Sequence, residues 1–127
     1  MGYYKSKNHL DSFKFALRGL LIALRNERNL RTEAIMAVIA VILSTVLKIS
    51  TVEMAIVALC IAFVFFAEMF NTTVEGLVDL YYKDRYSLIA RNIKDVSAGA
   101  VLACSIGVSC VGIIIFGTRL LHLLGMQ

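Results

Sequence analysis

VEMAIVALCIAFVFFAEMFNTTVEGLVDLYY, residues 52–82, begins as a hydrophobic run and continues, with no proline and one glycine, into a segment that carries ionisable side chains. An α-helix needs about 20 apolar residues to cross the hydrocarbon core of a bilayer. Because the polar part follows without a turn signal, the sequence predicts one long helix over 52–82 that includes a transmembrane span.

The composition of the whole chain points to a membrane environment. Of its 127 residues, 59% are hydrophobic, 17% are charged and none is proline. A soluble domain of this size keeps much of its surface in water and could not bury so many apolar side chains. We therefore expect one all-α integral membrane domain over residues 1–127, with no nucleic acid partner.

Two further apolar segments predict membrane-crossing helices over 33–49 and 94–117. The apolar run within the first, residues 34–47, has 14 residues. This is fewer than the roughly 20 that usually cross a bilayer, so flanking residues must contribute to the span. The second segment is free of charge from Val96 to Phe116.

Residues 10–31 show the pattern of an amphipathic helix that lies in a membrane interface. At about 100° per residue, basic side chains share one face and apolar side chains share another. Glu27 breaks this pattern because it falls among the apolar residues, where lipid would make a carboxylate costly. We expect it to face protein, water or a cation. Alternatively, the helix ends near Asn26 and Glu27 caps the next segment.

The distribution of basic residues predicts the orientation. Seven of the 13 Lys and Arg residues precede Thr32, four lie between the second and third spans, and one lies between the first and second. By the positive-inside rule, the N-terminus and the segment after residue 82 are cytoplasmic. We therefore expect a multi-pass plasma-membrane protein whose polar segments face cytoplasmic ATP and Mg²⁺.

Four polar side chains of segment 52–82 fall within a sector of about 100° on a helical wheel. They are Glu68, Asn71, Glu75 and Asp79, and we call them the polar stripe. Lipid cannot satisfy such a stripe, so it must face another helix, water or a ligand. No Lys or Arg lies between residues 52 and 82 to balance the acids. A divalent metal would balance them instead.

Lys94 and Asp95, at the start of the third span, are the nearest candidates for phosphate-binding and hydrogen-bonding groups, and Glu27 could add a carboxylate. This set suits Mg²⁺-assisted phosphoryl transfer to a lipid hydroxyl. It suits equally a cation or proton transporter, whose intramembrane acids bind ions. A structural membrane subunit is the remaining alternative. The chain has no GxxxxGKS/T motif, so a nucleotide site here would be of an unrelated type.

Three ordered blocks of sequence resemble the small prokaryotic diacylglycerol kinase family. Residues 67–80, AEMFNTTVEGLVDL, are similar to the family's E-x-x-N-T-x-x-E-x-x-x-D helix. Residues 93–102, IKDVSAGAVL, are similar to its KD-x-x-A-G-A-V-L stretch. FALRG at 15–19 and ERNLR at 27–31 are similar to its interfacial helix. The resemblance covers about residues 13–117.

The resemblance implies a lipid kinase that uses ATP as co-substrate and Mg²⁺ as cofactor. It implies that Glu68 is the general base that takes the proton from the lipid hydroxyl. It also implies that Glu75 and Glu27 are the carboxylates that hold Mg²⁺ on the ATP phosphates.

Four further residues are implied around the nucleotide. The resemblance places Asn71 near the metal and the γ-phosphate, and makes Lys94 the cation that neutralises phosphate. Asp79 and Asp95 are implied in the nucleotide-site network. The family works as a homotrimer with sites at subunit interfaces, which implies a homotrimeric bundle here as well.

The E-R-N-x-R form of the block at 27–31 looks most like the Gram-positive branch of the family, whose members are chiefly undecaprenol kinases. We therefore expect undecaprenol as the lipid alcohol in a bacterial membrane, with diacylglycerol as the alternative. The segment 85–90 lacks the His-Pro pair often found before the third span, and position 91 is Arg. Contacts between this segment and the nucleotide are therefore left unassigned.

Overall fold

The computed structural model describes residues 8–83 and 85–125, where the regular structure is entirely α-helical. Four helices follow one another along the chain: α1 His9–Asn26, α2 Arg28–Val46, α3 Thr51–Tyr82 and α4 Leu88–Leu123. The last three are long and apolar enough to cross a membrane. The predicted fold class, an N-terminal amphipathic helix followed by three membrane-crossing helices, is therefore confirmed. The terminal residues of the domain predicted over 1–127 lie outside the described ranges.

The helical conformation is interrupted between α1 and α2 at Glu27, whose backbone is extended with φ −94° and ψ 120°. We call this point the break. The helix predicted over 10–31 therefore ends at Asn26, and residues 28–31 form the first turn of α2. The alternative that Glu27 separates two helices is the one the structure shows, although its side chain makes no capping hydrogen bond. Compared with the helix predicted over 33–49, α2 begins five residues earlier and ends three residues earlier, at Val46, so that it has 19 residues in all. The residues before the apolar run thus supply the length that the run itself lacks.

α3 is the long helix predicted over 52–82, and a capping box begins it. The Ser50 hydroxyl accepts a hydrogen bond from the Glu53 backbone amide at 3.2 Å, and the Glu53 carboxylate accepts one from the Ser50 amide at 2.6 Å. Two backbone donors at the helix start are thereby satisfied. α3 then runs without interruption to Tyr82.

α4 is longer than the helix predicted over 94–117, because it begins at Leu88 and ends at Leu123. Ser87 provides the N-cap, and its hydroxyl accepts a hydrogen bond from the Ala90 backbone amide at 3.3 Å. Residues 88–93, which precede the predicted helix and include Arg91, form the first turns of α4. Serine at an N-cap stabilises such a start even where the next turn is polar.

α3 and α4 make the most extensive helix contact in the molecule, α2 packs against α3, and α1 packs mainly against α2. Ion pairs tie α3 to α4 at both ends of their contact. Asp79 pairs with Lys94 at 2.6 Å near the end of α3, and Glu53 pairs with Arg119 at 2.6 Å near its start. The two helices are therefore antiparallel and fixed in one register.

Most apolar side chains of the single chain remain exposed. Only five hydrophobic residues in the described ranges are buried: Leu30, Val57, Val78, Ala90 and Ile115. A water-soluble domain would not leave such an apolar surface in contact with water. Bilayer hydrocarbon satisfies it, which agrees with three membrane-crossing helices.

Candidate active site

The polar stripe of α3 faces the other helices of the chain at its deep end. Glu68 is 2% exposed and Asn71 is 7% exposed, whereas Phe70 and Leu77 point outward. This agrees with the helical wheel, which placed the polar side chains in one sector and the apolar ones outside it. The stripe becomes more accessible along the helix, since Glu75 is half-buried and Asp79 is exposed.

Asn71 and Glu75 are joined by a side-chain hydrogen bond. Asn71 Nδ2 donates to Glu75 Oε1 at 3.1 Å, across one turn of α3. The Asn71 Oδ1 atom is buried and has no hydrogen-bond partner among the described residues. A buried acceptor without a donor is costly, so this oxygen is available to a ligand that enters the site.

Lys94 supplies the cation that α3 itself lacks. Its Nζ atom lies 2.6 Å from Asp79 Oδ1, and the ammonium group is also close enough to Glu75 to attract it electrostatically. Two of the predicted site residues on α3 therefore converge with the predicted cation on α4. The positive charge lies at the exposed end of the stripe, beside Asp79.

Asp95 has a different partner. It pairs with Arg91 one turn earlier on α4, at 3.6 Å, and both side chains are about two-thirds exposed. Exposed pairs of this kind contribute little to stability. Within the described part of the chain, Asp95 thus pairs with Arg91 and makes no ion pair or hydrogen bond with the polar stripe.

Glu27 lies at the break between α1 and α2 and is half-buried. Its carboxylate makes no ion pair with another described residue. Its predicted part in metal binding therefore stays a prediction.

Glu33 is an acid that the sequence analysis did not select. Its Oε2 atom is buried without a hydrogen-bond partner in the described residues, and its charge interacts with that of Glu68. Glu33 is the first residue of the helix predicted over 33–49, and a carboxylate at the start of a helix needs no special role. With α2 starting at Arg28, the helical spacing of Leu30, Glu33 and Ala37 marks the inward face, and that spacing is the signal that would have identified Glu33.

An open apolar groove of about 550 Å³ runs between α2, α3 and α4, and Glu33 lines it. Its other walls are almost entirely hydrocarbon. They include Ala37, Ala40, Val64, Val108 and Phe116. Val64 precedes Glu68 by one helical turn, so the groove lies next to the deep end of the polar stripe.

The donor set of the stripe suits a metal ion that arrives with other ligands. Among the residues the structure describes, no group of three His, Cys, Asp or Glu side chains could hold a metal ion. Mg²⁺ commonly takes one or two carboxylates and completes its coordination with substrate phosphates and water. The Glu75 carboxylate and the partnerless oxygen of Asn71 are oxygen donors of the type that this ion prefers.

Comparison with known proteins gives a consistent result. The model of the family "Prokaryotic diacylglycerol kinase" matches residues 14–116. A diacylglycerol kinase of Synechocystis is 33% identical over 105 residues, covering 83% of this chain and 60% of the relative. An undecaprenol kinase of Bacillus subtilis is 36% identical over 110 residues, covering 86% of this chain and 88% of the relative.

A third similar protein is a diacylglycerol kinase of Haemophilus influenzae, which is 31% identical over 108 residues. The match covers 84% of this chain and 92% of that relative. The three similarities therefore cover nearly equal shares of this chain, although the chain spans only 60% of the Synechocystis protein.

Proposed function

This chain belongs to the prokaryotic diacylglycerol kinase family, and we propose that it transfers the γ-phosphoryl group of ATP to the hydroxyl of a membrane lipid alcohol. The family description and all three named relatives are kinases, which favours an enzyme over the cation transporter that the polar stripe alone would also suit.

One structural observation supports a lipid acceptor most strongly. Glu68 is buried where the polar stripe meets the apolar groove, one turn from Val64 and within electrostatic reach of Glu33. A lipid chain in the groove would place its hydroxyl beside these acids. A nucleotide would approach from the opposite, exposed end, where Lys94 lies.

Glu68 acts as the general base in this proposal. Its carboxylate accepts the proton of the lipid hydroxyl as the hydroxyl oxygen attacks the γ-phosphorus. The bond between that phosphorus and the bridging oxygen of ADP then breaks, and the phosphate monoester remains on the lipid. Such reactions depend chiefly on positioning and charge stabilisation.

Glu75 and Glu27 are the proposed ligands of Mg²⁺ on the ATP phosphates. Asn71 holds Glu75 by its hydrogen bond, and its partnerless oxygen would be available to the metal or the γ-phosphate. Bound Mg²⁺ would neutralise charge on the transferring phosphoryl group. Lys94 adds a positive charge on the same group.

Asp79 and Asp95 are proposed to belong to the nucleotide-site network through the basic residues they contact. Asp79 orients Lys94, and Asp95 orients Arg91. Neither acid needs to touch the reacting atoms for this role.

We propose undecaprenol as the physiological acceptor and diacylglycerol as the alternative. Support for undecaprenol comes from the E-R-N-x-R block and from the match to the Bacillus subtilis undecaprenol kinase, which extends over most of both chains. Two of the relatives are named diacylglycerol kinases, so diacylglycerol must be compared with undecaprenol in the assay.

The protein is proposed to work as a homotrimer in the bacterial plasma membrane, with its N-terminus and polar stripe on the cytoplasmic side. The basic residues before α2 and around the start of α4 support this orientation. The large exposed apolar area of the single chain leaves room for contacts between copies as well as with lipid.

A side-by-side assay tests the acceptor. Purified protein in one detergent receives radiolabelled ATP, Mg²⁺ and either undecaprenol or diacylglycerol, and the extracted lipid is counted. We expect faster labelling of undecaprenol at equal mole fraction. Preferential labelling of diacylglycerol would reverse the assignment of the acceptor. Absence of label from both lipids would contradict the proposed lipid kinase activity.

A further inference from the structure

The Arg31 guanidinium spans the break between α1 and α2. Its Nη1 atom donates a hydrogen bond to the Arg25 carbonyl oxygen at 2.7 Å and lies 3.5 Å from the Leu24 carbonyl oxygen, which also accepts from it. The two acceptors belong to the last turn of α1, whereas Arg31 belongs to the first turn of α2. One side chain therefore links the end of one helix to the start of the next.

These carbonyl groups lack the amide partners that a continuing helix would supply. The last four carbonyl groups of a helix are generally in this position. The Glu27 amide satisfies Ala23 of α1, which leaves the next carbonyls to Arg31. A cationic donor at a helix C-terminus both fills hydrogen bonds and interacts favourably with the helix dipole.

Packing in the described residues holds α1 much less firmly than α2. α1 has no buried residue and contacts mainly α2. Leu30, the neighbour of Arg31, is completely buried at 0% exposure, so the first turn of α2 is anchored among the other helices. Arg31 therefore extends from a fixed turn and holds the end of a loosely attached helix.

We propose that Arg31 is a positioning residue that sets the direction of α1 at the break and, with it, the place of the Glu27 carboxylate. This inference rests on the proposed function, in which Glu27 helps to hold Mg²⁺ on the nucleotide. Glu27 is the residue at which the chain changes direction, so any change in the angle between the two helices moves it. The guanidinium donates to backbone oxygens, and its effect on catalysis passes through Glu27.

Hydrogen–deuterium exchange of the full chain in lipid nanodiscs tests the hydrogen bonds from Arg31 to the end of α1 without any activity measurement. In Arg31→Gln, amides near the end of α1 should exchange several-fold faster because that turn opens more often, while those of α3 keep wild-type protection. Arg31→Lys, which keeps one charged donor, should restore part of the protection. Lys14→Gln removes a positive charge from α1 away from the break and is the matched control. Wild-type exchange in Arg31→Gln would overturn the inference.

A double-mutant cycle then tests whether Arg31 affects the Mg²⁺ dependence through Glu27. Alone, Arg31→Gln and Glu27→Gln should each raise the Mg²⁺ concentration that gives half-maximal rate several-fold. In the Glu27→Gln background, the second substitution should have almost no further effect, because residues that act through one another are not additive. Additive losses would overturn the inference by showing that Arg31 acts independently.

The two proposals fail in different ways. If wild-type protein phosphorylates no lipid, the proposed function and the Glu27 part of this inference are both overturned. The exchange experiment alone then decides whether Arg31 stabilises the end of α1. If wild-type protein is active and Arg31→Gln shows unchanged Mg²⁺ dependence, only the Arg31 inference is overturned.

Discussion

Lys94 Nζ lies 2.6 Å from Asp79 Oδ1, and this ion pair joins α4 to the exposed end of the polar stripe. The pair is asymmetric, since the Asp79 side chain is 65% exposed and that of Lys94 is 35% exposed. Lys94 is also attracted by Glu75. Two acids of α3 thus share one cation, the Lys94 ammonium group.

Replacing Lys94 with glutamine should lower lipid phosphorylation by roughly 100-fold, because it removes a charge that stabilises the transferring phosphoryl group. The measurement is initial rate with saturating Mg²⁺ and lipid. Lys14→Gln is the control, since it removes a positive charge from a residue of α1 that has no part in the proposed site. A Lys94→Gln rate equal to that of Lys14→Gln would contradict a direct role for Lys94.

Glu75→Gln should raise the half-saturating concentrations of Mg²⁺ and ATP and lower the maximal rate. The substitution removes a negative oxygen donor but retains a carbonyl oxygen for the Asn71 hydrogen bond, so the fold should persist. Mg²⁺ titrations at fixed ATP, with thermal melting as the folding control, provide the measurement. Unchanged Mg²⁺ dependence would exclude Glu75 as a metal ligand.

Ala40→Phe should raise the KM for the lipid alcohol and leave ATP affinity nearly unchanged. Ala40 lines the apolar groove, and a phenyl ring there would occupy part of the space in which we place the lipid chain. Ile42→Phe adds bulk to the outward face of α2, where Ile42 is 55% exposed, and is the matched control. Equal lipid KM values for the two variants would show that the acceptor does not use the groove.

Glu53→Gln should lower the melting temperature by a few degrees and leave catalysis essentially intact. Glu53 accepts hydrogen bonds from Arg119 and from the Ser50 amide, so the change weakens both the α3–α4 ion pair and the capping box. The pair lies at the opposite end of α3 from the polar stripe. Melting curves and initial rates are measured together, and a large loss of rate at unchanged melting temperature would indicate a catalytic role that the structure does not support.

Periodicity within single helices made much of this fold predictable. The apolar run of α3 and the polar stripe that continues it are local patterns, and the structure places Glu68 and Asn71 inward as the wheel requires. Helix boundaries were less predictable, because residues 28–31 continue the helical pattern of α1 in the sequence but belong to α2 in the structure. The break at Glu27 depends on where each helix lies relative to the others.

Residues whose role depends on a partner from another helix were the hardest to predict. Glu33 interacts electrostatically with Glu68 on α3. This contact depends on α2 beginning at Arg28 and packing against α3, which the residues around Glu33 do not reveal. The Glu53–Arg119 pair joins positions 66 residues apart, and no spacing rule connects them. Such contacts arise from tertiary packing, so the sequence of either helix alone does not specify them.

The most direct test of the central claim compares wild-type protein with Glu68→Gln in the transfer of label from ATP to undecaprenol and to diacylglycerol. The substitution removes the base with almost no change in volume, so the protein should remain folded, as judged by its melting temperature and oligomeric state. We expect wild type to label lipid and Glu68→Gln to retain under about 1% of its rate, a loss within the range of general base catalysis. Wild-type turnover by a folded Glu68→Gln protein would contradict the assignment of the polar stripe as the active site.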